Sequence, residues 1–372
     1  ETEAEEAETD AVDKTEKTAQ KGEVLEKGTI LDPQVLKAND PSDETNGKVV
    51  KEVDSFEKLQ KAIANAQDGV ETTIVITQSF EISETLTIGE GKIIILTSND
   101  GKEMDDPWEK IKQPKDYADQ GEEKQREVID EAKDRGDKAI KDAGINITEE
   151  DDEYYYKFRE SDIVLKRAKK FIETMFDVKG KLTLGDENNS INFDGNKREV
   201  TLPGGSEGQF FKVNDKAKLT LKNGVIANGT AKAGYSAAVS VEKGGEFTME
   251  GGRITSNYTA SNANYPTSAG GVYVYIGGKF NMNSGMIDHN TGSAGAIAAG
   301  DLYGINKSIN LFDSPDAAAI INLNGGSIVS NSSEGMKLAG GIVIFPAATL
   351  NFNDGIVAGN SSSQHGGGIT IS

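Results

Sequence analysis

One phrase recurs five times between Lys218 and Asn360, and it restricts the fold more than any other feature of the sequence. Each copy opens with an alternating apolar pair: Leu219/Leu221, Phe247/Met249, Phe280/Met282, Ile321/Leu323 and Leu350/Phe352. A glycine follows at Gly224, Gly252, Gly285, Gly326 and Gly355. Asparagine then lands in register at Asn257, Asn290, Asn331 and Asn360, with Asn228 one residue early in the first copy. A second short apolar strand begins at Val239, Val272, Ile297, Ile342 and Ile369. Repetition of this kind marks a solenoid, in which no unit buries its apolar face alone and stacking makes one shared core. Alternation with period two reads as half-buried strand. The expected fold is therefore mainly β, a right-handed parallel β-helix with strands about 4.8 Å apart.

Stacking converts each column of the repeat into a ladder. The aliphatic and aromatic pairs fill the interior. A buried turn amide is costly when unsatisfied, but stacked amides can donate to and accept from the units above and below. The glycines permit turn conformations that side chains resist.

The 372-residue chain carries a net charge of −21, yet residues 216–372 hold nine basic and nine acidic side chains, so the whole excess lies before them. The neutral repeat region offers no basic stripe for nucleic acid. No apolar run reaches the ~18 residues of a membrane helix, which argues against membrane insertion. Cysteine is absent, a usage that fits an exported bacterial protein, at the cell surface, in the cell wall or secreted.

Four segments are expected. Residues 1–50 are an acidic leader too poor in apolar residues to order itself. Residues 51–101 supply a capping helix, opened by Asp54-Ser55 with Phe56, Leu59, Ile63 and Ala66 on one face, and then the first strands at Thr73–Ile76, Phe80/Ile82, Leu86/Ile88 and Ile93/Ile95. Residues 102–178 read as a helical insertion, with Val128, Ala132, Ala139 and Ala143 on one face and Val164, Ala168, Phe171 and Met175 on another, separated by Tyr154-Tyr155-Tyr156. Residues 179–372 return to the solenoid. Its last strand, Gly368–Ile371, has no cap, so continuation beyond Ser372 is expected.

The segments GGKFNMNSGMIDHNTG and GGIVIFPAATLNFNDGIVAGNSSSQHGGGITIS, with the opening VDSFEKLQKAIANAQDG, resemble the pectate-lyase-like right-handed β-helices of bacterial surface proteins. They are similar to the binding regions of serine-rich-repeat and wall-anchored adhesins of Gram-positive type. The resemblance covers residue 50 to the end, apart from the insertion. It implies attachment to a glycan or to a host surface or matrix protein. The chain is further expected to act without catalysis and without a cofactor, as a monomer within a longer surface protein. The motif specifies fold more than function.

Two other readings stay open: a polysaccharide lyase or glycoside hydrolase acting on acidic polysaccharide, and a spacer within a large wall protein. For the enzyme, Ile287-Asp288-His289 is similar to the Trp-Ile-Asp-His segment of pectate lyases, with Met286 where tryptophan would stand. Asp288 and His289 occupy columns filled elsewhere by Thr255/Ser256 and Val329/Ser330, which read as solvated turn positions. The two histidines, His289 and His365, fall in different columns and suggest no metal pair. Asp301, Asp313 and Asp316 share a loop that could chelate calcium, a reading to which their spacing gives little support.

The candidate ligand-binding residues lie on the outside. Tyr273 and Tyr275 alternate with the inward Val272, Val274 and Ile276, and the loop from Tyr258 to Tyr265 precedes them. Exposed tyrosines pair an apolar ring with a polar edge, and long loops on a rigid scaffold often carry binding. The second candidate is an amide strip on the outward row of the first strand, with Asn281, Asn322 and Asn351, and Asn283, Asn324 and Asn353 two residues on.

Overall fold

A computed structural model describes residues 48–100, 147–150, 153–200, 207–232, 235–260, 268–300, 318–334, 338–362 and 366–371. Among these residues the chain is mainly β, in long parallel sheets compatible with a β-solenoid. The repeat beginning at Glu246 illustrates the unit. It has four short strands, Glu246–Met249, Arg253–Thr255, Tyr258–Thr259 and Val272–Val274, where the sequence had suggested two. Each pairs in parallel with its counterpart in the next unit: Lys279–Met282, Met286–Asp288, Thr291–Gly292 and Ile297–Ala299. Equivalent residues meet one to one, as in Phe247↔Phe280, Ile254↔Ile287 and Val272↔Ile297.

The described strands form sheets of 15, eight, five and two strands. The largest combines the first and second strands of each unit, because the continuous strand Ala319–Val329 pairs with Lys279–Met282 and with Met286–Asp288. A single apolar core runs from Val53 to Ile344, drawing the inward residues of the two larger sheets together. Register puts like on like. Phe247 and Phe280 stack with ring centroids 5.1 Å apart, and burial of each such ring stabilises by roughly 1.5 to 3 kcal/mol.

The bends follow from backbone chemistry. Ser256, His289 and Ser330 each occupy the left-handed region, with φ of 55°, 50° and 54°, and each directly precedes an asparagine of the buried column. That column forms the expected ladder. Asn257 Nδ2 donates to Asn290 Oδ1 (2.9 Å), Asn290 to Asn331 (3.0 Å) and Asn331 to Asn360 (2.9 Å). Each amide also donates to a main-chain carbonyl, of Ile226, Ile254, Ile287 and Ile328 in turn. The glycine column is equally constrained. Gly285 has φ 90°, and a Cβ there would lie 2.7 Å from the Gly251 carbonyl oxygen.

The helix forms at Phe56–Ala64, burying Leu59, Ala62 and Ile63 in the core. Ser55 makes no side-chain capping bond; the first turn is instead held by Lys58 donating to Asp54 at 2.7 Å.

The expected strand forms at Ile93–Ser98, with Ile94 and Leu96 inward because pairing with Leu182 and Leu184 sets the parity. One expectation needs correction. The helical reading of 102–178 fails over its described part. Val164–Arg167 and Phe176–Val178 are strands of the two larger sheets, and Ile147–Glu150 pairs antiparallel with Glu153–Tyr156 as a hairpin. The earlier candidate face at Val128, Ala132, Ala139 and Ala143 lies outside the described residues. So does most of the leader.

Candidate functional site

The tyrosine group does not form the exposed platform expected of it. Tyr273 does point away from the core, but it is only 2% exposed. Its neighbours across the sheet, Ser240 and Ala298, are small, so the ring settles into a second apolar cluster with Ala269, Ala294, Ala298, Ala339, Val343 and Phe345. Its hydroxyl donates to the Gly300 carbonyl at 2.9 Å. Tyr275 packs edge-on against Tyr273 at 4.3 Å and is partly buried, which pushes its phenol well above the usual range. Tyr258 is partly buried in the strand Tyr258–Thr259, where its N–H donates to the Gly229 carbonyl. Tyr265, His365, Asp301, Asp313 and Asp316 lie outside the described residues.

The amide strip is present and ordered. Asn281, Asn322 and Asn351 align in register across three successive strands. Asn322 Nδ2 donates to Asn281 Oδ1 at 2.8 Å, and Asn351 donates to Asn322 at 2.8 Å. A second file runs beside it, with Asn324 donating to Asn283 (2.9 Å) and Asn353 to Asn324 (2.8 Å). Asn283, Asn324, Asn351 and Asn353 are exposed, and Asn281 and Asn322 are partly exposed. At one end Asn281 continues the file by donating to Glu246 (2.9 Å) and Thr248 (3.3 Å). Sequence reading found these residues because repeats place them in one column.

The enzymatic candidate is also reassigned. Asp288 is not a solvated turn residue. It is fully buried and receives Arg253 Nε at 2.7 Å and Arg253 Nη2 at 2.5 Å, from an arginine that is itself fully buried. Thr255 donates to the same carboxylate at 3.1 Å, and His289 Nδ1 lies 2.6 Å from it. The neighbouring guanidinium holds the Asp288 carboxyl well below the ordinary carboxylate range despite the opposing effect of burial. A carboxylate so engaged cannot readily accept a substrate proton, which requires hydrogen-bond reach to the substrate.

The hairpin Ile147–Tyr156 covers this group. Tyr154 meets His289 edge-on at 4.9 Å, Tyr156 lies 5.4 Å from the Arg253 guanidinium, and Arg198 stacks on Tyr155 at 4.0 Å. Burial pushes the Tyr155 phenol up to about 12. Tyr156 is clasped through its backbone: its N–H donates to Asn228 Oδ1 and its carbonyl accepts from Asn228 Nδ2, both at 2.8 Å.

Among the described residues no cluster of three or more His, Cys, Asp or Glu could hold a metal, and no helix is long and apolar enough to cross a membrane. Comparison with protein-family models, curated proteins and solved structures returned no match.

Proposed function

We propose that this chain is a non-catalytic binding region of a bacterial cell-surface adhesin, a right-handed parallel β-helix capped by the helix Phe56–Ala64 and attached to a glycan or a host surface protein. The observation that carries this reading is the solvent-facing double file of asparagines on a rigid parallel sheet. Its amides are held by one another, so little side-chain freedom remains to be lost on binding. The likeness of the repeats to surface-protein β-helices supports the location.

Polysaccharide cleavage is the weaker alternative, since Asp288 is occupied by Arg253. The test is retention of the intact protein on a glycan array and on immobilised matrix proteins. Selective retention is expected; retention of nothing would leave the spacer reading in its place. Incubation with pectins and glycosaminoglycans, followed by absorbance for unsaturated products, tests the enzyme directly, and turnover by the wild type would overturn the proposal.

A further inference from the structure

The double file of asparagines has a chemistry and a spacing that narrow its ligand, given the binding reading above. Asn322 and Asn324, the middle members of the two files, each spend one N–H and one oxygen lone pair on their neighbours in the file. An asparagine has two N–H donors and two acceptor sites. Interior members of each file therefore keep one donor and one acceptor for solvent, side by side. That pairing suits a hydroxyl group, which itself both donates and accepts.

Strand spacing fixes the repeat along each file at about 4.8 Å, and two residues along a strand separate the files by roughly 6 to 7 Å. The result is two adjoining files of three amides each, the first in strand register and the second crossing a register irregularity at Asn324.

Charge and texture exclude other partners. The flanking cations on this face are engaged: Lys279 and Lys218 pair with Glu246 at 3.3 and 2.8 Å, and Lys222 with Glu250 at 3.6 Å. An anionic glycan would find no cation among the six asparagines. A protein partner would ordinarily be anchored by aromatic side chains or arginine at the centre of the patch, and this array presents amides in those positions. A single sugar would engage only one or two of the amides.

We infer that the face formed by Asn281, Asn322, Asn351, Asn283, Asn324 and Asn353 binds an uncharged, extended polysaccharide, its chain lying along the files. An equatorially linked pyranose ribbon is flat and advances by about one ring per strand step; adjacent rings are turned over, so each ring meets a pair of amides and every second ring offers them the same edge. Affinity accumulates over the length of the ribbon, as in multivalent engagement.

The test is a pull-down of the whole chain with insoluble β-1,4-linked glucan and chitin, and affinity electrophoresis in soluble mixed-linkage glucan, for the wild type and for Asn322→Ala/Asn324→Ala. Thr220→Ala, on the same face but outside the array, serves as control. Expected are binding by the wild type and the control, a loss of at least about tenfold in the double variant, and weak competition by monosaccharide. Circular dichroism and the thermal midpoint are measured for each variant. Should the double variant unfold, Asn353→Asp, at the exposed edge of the outer file, provides the second readout and is expected to weaken binding.

Binding that survives both variants, or equal competition by monosaccharide and polymer, overturns the inference. If neutral polysaccharides are ignored while another ligand is retained on the array, the inference fails and the adhesin reading stands. If nothing at all is retained, both fail.

Discussion

Arg253 and Asp288 sit in adjacent repeats, two columns apart, and form a bidentate ion pair with no exposed side-chain surface on either partner. Removing two charges from water is costly, and the attraction between them repays it only with good geometry and further hydrogen bonds. Thr255 supplies one of these, and the Tyr156 ring lies near the guanidinium. Deleting one partner strands the other. Asp288→Asn is therefore expected to destabilise the chain by about 3 to 5 kcal/mol, whereas Arg253→Met combined with Asp288→Leu should recover most of that loss. Urea denaturation at neutral pH measures both. A single variant as stable as the wild type would show that the pair contributes little.

The same pair sets the acid response. The folded Asp288 carboxyl lies below its unfolded value, so its stabilisation is complete above about pH 4 and is lost as pH falls through the folded value. Asp194 and Glu242 act with the opposite sign. Burial raises both, so each favours the fold when protonated, and that contribution disappears as pH rises through its folded value. Asp194 Oδ1 accepts from the Asn196 N–H and from Asn228 Nδ2, roles that an asparagine oxygen can keep. Asp194→Asn should accordingly raise the urea midpoint at pH 7, with the advantage shrinking as the pH is lowered. An advantage independent of pH would mean that desolvation of the carboxylate is not its source.

The bends provide a contrast between two columns. At Gly285 any side chain meets backbone, with a Cβ 2.7 Å from the carbonyl oxygens of Gly251 and Gly252, and the left-handed φ adds strain. Gly285→Ala should cost more than the ~1 kcal/mol of an ordinary substitution. Ser330 is also left-handed, a conformation that costs a non-glycine residue roughly 1 to 2 kcal/mol. Ser330→Gly relieves this but adds a comparable entropy cost to folding, so it should change stability by under about 1 kcal/mol. Ser330→Val should be clearly worse, since β-branched residues resist positive φ. Thermal midpoints for the three variants order them. If Ser330→Val matches Ser330→Gly, the bend tolerates a different backbone.

What the sequence revealed depended on columns. Leu219 through Phe352 could be aligned across five copies and Asn257 through Asn360 across four, so strand, core and amide ladder were legible together. Where no copy repeats the pattern, local spacing misled. Val164, Ala168, Phe171 and Met175 fall at helical intervals, yet Leu165, Phe176 and Val178 supply the inward strand positions. The run Ile93–Leu96 is apolar throughout, and only its partner strand could decide which members face inward. Outward positions were hardest, because nothing local announces that a second layer covers them. The hairpin covers the group around Asp288, and small neighbours let Tyr273 sink among Ala269, Ala298 and Phe345. A signal for the burial of Asp288 existed: a lone arginine in a column that in the other copies holds Val225, Met286, Ser327 and Ile356, with an aspartate in the next repeat.

Asn228 offers the cleanest test of how the hairpin Ile147–Tyr156 is held. Its side-chain amide binds both the N–H and the carbonyl of Tyr156, as a neighbouring strand would. Its own backbone sits at φ 57°, so most substitutions would disturb bend and clasp at once. Glycine separates them, because it accepts the left-handed conformation while deleting the amide. In Asn228→Gly, hydrogen exchange at Tyr156 and across Ile147–Glu150 should accelerate, while the strands Val225–Ala227 and Arg253–Thr255 keep their protection. Loss of the hairpin should also uncover His289, whose ring Tyr154 meets edge-on, and this is observable as faster modification by diethyl pyrocarbonate. Unchanged exchange at Tyr156 would mean that Arg198 on Tyr155 and Arg253 beneath Tyr156 hold the hairpin without the clasp.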